Sequence, residues 1–358
     1  GGAIAWHGNN ASIINCNFTY NVAVAQYEDI QFNDIGGRGG AVFIRNSSDS
    51  EFIGSNFINN TAGADGGAIY WYIGADHGII SDSNFINNSA NRSGGAIHWA
   101  GADGIISNSV FINNTALNRV QYSVYEEVTG GDGGAVLWRD TGGNITNCTF
   151  ISNTAVYNST CESNNTGGRG GAVFLRTAID CTLTDNKFYN NTAGNLGGAI
   201  EFYSGAEDVI LDRCEFINNT ANCSGGAIYW LGTNGTVSNS SFINNTALGS
   251  LRILMFETAE GNISGGNGGA IAWHGNDATI ADCNFTLNTA IADYSESVMN
   301  RFNDTGGRGG AVFIRNSSDS EFLGSRFINN TAGADGGAIY WFDGANNGTL
   351  NNSYFENN

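Results

Sequence analysis

The chain has no proline and a single lysine, Lys187, in 358 residues. Without proline there is no rigid punctuation between units, and no stretch reads as a linker. Basic residues are scarce, 14 against 33 acidic ones, and the net charge of −19 argues against nucleic acid and anionic lipid as partners. No apolar run approaches the ~18 residues of a membrane span, and no charged-then-apolar leader opens the chain. Membrane attachment is therefore expected only through parts outside this sequence. The four histidines, His7, His77, His98 and His274, show no ligand spacing, and Asp65 and Asp335 do not fit a Ca²⁺ loop, so neither metal nor cofactor is expected.

Glycine is plentiful, at 52 residues, and 41% of the chain is hydrophobic, enough for a sizeable core. Two phrases organise it. Gly-Gly-Ala-Ile/Val begins at Gly1, Gly39, Gly66, Gly94, Gly133, Gly170, Gly197, Gly225, Gly268, Gly309 and Gly336. Phe-X-X-Asn begins at Phe18, Phe57, Phe85, Phe111, Phe150, Phe188, Phe216, Phe242, Phe285, Phe327 and Phe355, in strict alternation with the first. The Gly-to-Phe offsets run 17, 18, 19, 17 and then repeat, which defines four-rung cassettes 1–132, 133–267 and 268–358, the last incomplete. The text starts and stops in mid-pattern, so a single β-helix over 1–358, excerpted from a longer chain, is expected.

Within a rung, Ile or Val stands three residues after the leading Gly, and all seven tryptophans occupy the column two further on. That period of two indicates a strand. A second apolar column lies five residues before each Phe, for example Ile80, Leu211 and Phe322. Three apolar stations in 27–28 residues suit three short strands and three turns, stacked like on like at the ~4.8 Å strand spacing. The Asn of Phe-X-X-Asn fits a stacked side-chain ladder at a turn. The double glycine fits a corner that needs unusual backbone angles or close approach. The expected fold is all-β, a parallel β-helix of about eleven rungs.

The alternation of Gly-Gly-Ala-Ile/Val with Phe-X-X-Asn resembles the repeat of the chlamydial polymorphic outer-membrane proteins. The wording "FINNTA" with "GGAIYW" resembles adhesin-like surface proteins of methanogenic archaea. The resemblance covers the whole chain and implies a right-handed β-helix, surface display and a role in adhesion. It identifies a scaffold and not an activity.

Function is expected on three surfaces. Five connections of 20–26 residues between Phe and the next Gly-Gly leave from one corner and should cluster along one edge. They supply candidate ligand-binding residues Tyr122, Tyr125 and Tyr294, and an apolar run with Leu254 and Phe256, suited to a lid or a docking knob. The column between Ile/Val and Trp, with Tyr70, Tyr229 and Tyr340, alternates to the outside and could stack on sugars or stabilise the helix; His98 and Glu201 in it agree with an outside position. The third surface is a glycan coat. Asn-X-Ser/Thr triplets occur at about three times the chance frequency, and acceptors include Asn10, Asn46, Asn59, Asn158, Asn234, Asn262 and Asn316. They place the chain outside the cell.

Of the seven cysteines, Cys16, Cys148, Cys214 and Cys283 read as buried small residues, and a Cys161–Cys181 disulfide is a loose possibility. Lyase or hydrolase chemistry needs clustered carboxylates and a Lys or Arg partner. Arg38, Arg169 and Arg308 recur once per cassette, as a structural corner would, so the chain is not expected to be an enzyme. The leading expectation is a cell-surface, adhesin-like stalk that attaches to a glycan or protein on another cell. The alternative is a surface fibre or coat that assembles with copies of itself.

Overall fold

The computed structural model describes residues 1–25, 36–117, 130–157, 167–249, 265–292, 306–342 and 344–358. Among the described residues the regular structure is all β, in strands of two or three residues. The first rung shows the plan: β1 (Ile4–Trp6), β2 (Ser12–Ile14), β3 (Asn17–Thr19) and β4 (Val22–Ala23). Each is paired in parallel with its counterpart in the next rung, with no slip in register, as in Phe57↔Phe85↔Phe111. The result is three eleven-stranded sheets, here A, B and C, and a ten-stranded sheet D. The chain is a parallel β-helix of eleven rungs. A fourth, two-residue strand of the Thr-Ala type completes each of the first ten, beyond the three strands expected from periodicity.

Inward columns form the core. Phe side chains of sheet C stack from Phe18 to Phe355 with centroids 4.7–4.9 Å apart and nearly parallel rings. Trp71, Trp99 and Trp138 of sheet A stack at 4.3 and 4.9 Å, and Trp230 on Trp273 at 4.2 Å. Offset stacking of this kind adds about 0.5–1.5 kcal/mol per pair beyond burial of area.

Two internal ladders satisfy the turns. In the Asn ladder, Asn88 Nδ2 donates to Phe57 O at 2.9 Å and to Asn114 Oδ1 at 3.0 Å, while its backbone N–H also reaches Asn114 Oδ1 at 3.0 Å. The same bonds recur at Asn219. Two residues before each Phe, the backbone N–H of Ser55 donates to Ser83 Oγ, and that of Ser83 to Ser109 Oγ, both at 3.1 Å. Cys148, Cys214 and Cys283 occupy this column as buried residues, whereas Cys16 is exposed, which corrects its expected burial.

The double glycine answers to both of its expected demands. The leading glycine is left-handed, as at Gly197 with φ +63°. A Cβ on the second, Gly198, would sit 1.9 Å from Gly226 O of the next rung.

Candidate functional site

The polar chemistry gathers on the outer face of sheet A, where two columns meet. One is the middle residue of each sheet A strand, and the other is the residue just before the double glycine. The five long connections join the rung stack beside this face: each leaves after a sheet D strand and returns just before a double glycine. After the first, Ala64 N–H bonds Gly37 O at 2.9 Å; after the third, Asn195 N–H bonds Gly168 O at 2.8 Å.

One cluster surrounds Asp65. Arg92 embraces its carboxylate, with Nε at 2.8 Å from Oδ1 and Nη2 on Oδ2, and the Ser93 N–H adds a bond at 3.2 Å. Burial alone would raise the Asp65 pKa, but Arg92, His98 and Arg38 overcome it and hold the carboxyl down at about 2. His98 lies with Nδ1 3.8 Å from Asp65 Oδ1 and stacks on Tyr70 at 4.5 Å. Burial, aided by Arg139 and Arg92 and opposed by Asp65, lowers its pKa to about 3, so the imidazole is neutral. Neither of its ring nitrogens has a hydrogen-bond partner.

The second cluster is Asp132, Arg169 and Glu201. Arg169 grips Asp132 bidentately at 3.0 and 2.8 Å and lies over Phe174 and Tyr203. Its third nitrogen, Nη1, is 4.0 Å from Glu201 Oε1. Burial raises the Glu201 pKa to about 8 against the pull of Arg169, which Asp132 already engages. Neither Glu201 oxygen has a hydrogen-bond partner among the described residues, and the residue is 0% exposed. A neutral acid beside a salt-bridged carboxylate is the pairing from which acid–base chemistry is built. Here both groups are buried.

Towards the end of the rod the face turns apolar. Leu196, Cys223, Tyr229, Ala272 and Phe313 form a second core outside the first, with Tyr340 and Phe342 packed against it. His274 beside it is held neutral, its pKa lowered to about 3 by burial and then by Arg315.

This arrangement corrects two sequence readings. Tyr70 and Tyr229 point outward but are buried, and Tyr340 is half-buried, so the aromatic column is no open sugar platform. His98 and Glu201 do not mark an exposed surface; they are fully covered polar groups held beside Asp65 and Arg169. Cys181 is a buried thiol whose Sγ accepts a bond from Gly143 N–H at 3.1 Å, and its expected partner Cys161 is not among the described residues. Cys161, Tyr122, Tyr125, Tyr294, Leu254, Phe256, Asn158 and Asn262 lie outside the described residues. Asn10, Asn46, Asn59, Asn234 and Asn316 all sit at left-handed corners, φ +49° to +57°. The ion pairs Asp65–Arg92 and Asp132–Arg169 escaped the sequence reading. Their signal was a charged residue before the double glycine, at Asp65, Asp132 and Arg169, one or two rungs ahead of the polar column residues His98 and Glu201.

The model of the Chlamydia polymorphic membrane protein repeat matches residues 54–70, 82–98, 213–229 and 324–340. Each match runs from a turn before Phe-X-X-Asn through a short connection into Gly-Gly-Ala-Ile. The chain resembles the polymorphic membrane protein repeat proteins. No curated protein matches it. Similar solved structures include a DFA-IIIase from Arthrobacter chlorophenolicus A6, 10% identical over 94% of this chain and 89% of that one, TM-score 0.46. The A-module of the mannuronan C-5 epimerase AlgE6 from Azotobacter vinelandii is 11% identical over 97% and 91%, TM-score 0.47. The Streptococcus pneumoniae surface protein and adhesin PfbA is 11% identical over 99% and 92%, TM-score 0.44. With enzymes among these structures, the expectation that the chain is not an enzyme is overturned. The same scaffold carries catalysis in some proteins and adhesion in others.

Proposed function

We propose that the chain is the displayed rod of an adhesin-like surface protein, which attaches to a glycan or protein on another cell through connections along one edge. The observation that carries this reading is the placement of all five long connections. Every one leaves after a sheet D strand and rejoins the stack at the double-glycine corner, so the described ends of all five share one corner of the rung, beside the outer face of sheet A. Repeat proteins place variable binding segments in this way on an invariant frame. The matched repeat, named for a Chlamydia membrane protein, and the likeness in fold to an adhesin support a surface location.

The test shortens each long connection to the nine-residue form found between Phe57 and Gly66 and measures attachment of the purified rod to cells. Attachment should be lost while the thermal midpoint stays within a few degrees of the parent. Undiminished attachment by the shortened rod would remove the edge from the mechanism. Electron microscopy of the native surface separates isolated projections, expected here, from an ordered lattice of copies.

A further inference from the structure

Each rung passes from sheet C to sheet D through two residues that face opposite ways. The second is the buried ladder Asn, such as Asn60, Asn88 or Asn219. The first stands outside at a left-handed φ, 54–56° in Asn59, Asn87, Asn113, Asn190, Asn218 and Asn244. The residue after the ladder Asn is Ser or Thr, so each of these six, and Asn329, heads an Asn-X-Ser/Thr triplet whose middle member is locked inside. All but Asn59, which is half-buried, are exposed. They come in runs of three successive rungs. Asn59, Asn87 and Asn113 are followed by Ser152; Asn190, Asn218 and Asn244 are followed by Leu287.

A second observation lies one residue upstream. Ile58, Ile86 and Ile112, then Ile217, Ile243 and Ile328, point outward from sheet C and are half-exposed, forming an apolar stripe parallel to the acceptor column. A stripe of β-branched residues along an outer face invites association unless something covers it. The acceptor column is its immediate neighbour on every rung that carries both.

We infer that this corner is a glycan-bearing edge and that N-linked glycans attached to it lie over the Ile stripe of sheet C. Asparagine Nδ2 forms the new bond to the anomeric carbon of an activated glycan donor as the bond from that carbon to the donor's phosphate-linked carrier breaks, and the leaving carrier phosphate takes up the amide proton. The apolar C–H faces of the first rings then meet the Ile side chains. Neighbouring acceptors already touch: Asn244 Nδ2 donates to Asn218 Oδ1 at 2.8 Å. At a strand spacing of ~4.8 Å the middle glycan of a run is crowded from both sides, so Asn87 and Asn218 should be occupied less than the outer members.

The inference rests on the surface reading, and the experiment keeps the two apart. Peptide mass spectrometry of the protein from its own cells should find glycan at Asn59, Asn113, Asn190 and Asn244. Bare corner acceptors beside occupied Asn46 or Asn234 would overturn the glycan-bearing edge and leave the surface reading standing. A chain with no glycan anywhere would also overturn it, while attachment remains tested by the shortened connections. For the stripe, Ala at the third triplet position (Thr61, Ser89, Thr115, Thr192, Thr220, Thr246, Thr331) removes the acceptors without disturbing the left-handed Asn. Fluorescence of an apolar dye and self-association should both rise several-fold in that variant. No change in either would overturn the covering of the stripe.

Discussion

Sheets A and C both turn largely aromatic columns inward, yet their outer faces share little. Outside sheet C the residue after each Phe is a half-exposed Ile in seven of the eleven rungs. Outside sheet A the column runs through Tyr70, His98, Phe174, Glu201 and Tyr229, all but sealed from water and held by arginines at the adjacent corner. Alternation along a strand therefore fixes the direction of a side chain and leaves its exposure to whatever lies beyond the rung. The two faces can be separated, or shown to be equivalent, by the measurements that follow.

The scale is set by a change that strikes all four sheets together. Gly198→Ala drives a Cβ into Gly226 O and the backbone of Thr220, and should cost about 5 kcal/mol in denaturant unfolding. Next, Arg169→Met leaves Asp132 buried without its partner and should cost about 3–4 kcal/mol. The matching change on the other face, Ile217→Ser, should cost about 0.5 kcal/mol. Equal losses would erase the distinction between the faces. A pair of neighbours sharpens it further. Asn219→Ala strands Phe188 O and the Asn191 N–H and should cost about 3 kcal/mol, whereas Asn218→Gly, one residue away and already left-handed, should change stability by a few tenths.

A separate effect is in pH dependence. The Glu201 pKa is raised on folding, so the native state binds a proton that the unfolded state releases above its ordinary carboxylate range. That contribution is complete at low pH and fades as pH rises towards about 8, at about 1 kcal/mol per pH unit. His98 and His274 are lowered to about 3, so their contribution is present above about pH 6.5 and falls away in acid. Glu201→Gln should flatten the alkaline side of the stability profile and leave the acid side, which His98 and His274 govern, in place.

The inward half of the molecule is legible in the sequence because like stacks on like. Trp71 lies on Trp99 and Phe57 on Phe85, so a column in the text is a column in space. The Thr-Ala strand of sheet D escapes notice because two residues are too few to show a period. The clusters on sheet A are harder still. Asp132 and Arg169 lie 37 residues apart and meet only because the helix brings successive corners together. His98 and Glu201 stand out as polar residues in an apolar column, but a period of two cannot tell a sealed outer face from an open one.

The direction of the backbone hydrogen bonds has a mechanical meaning. They run from rung to rung, along the rod, so tension applied at the two ends loads the last rung's bonds before any others. A short rung that yields gives up ~4.8 Å of rod and frees 27 or 28 residues, roughly 90 Å of extended chain. Such a rod would not snap under a steady pull. It would pay out like line from a reel, one rung at a time, with every intact rung below still carrying the next.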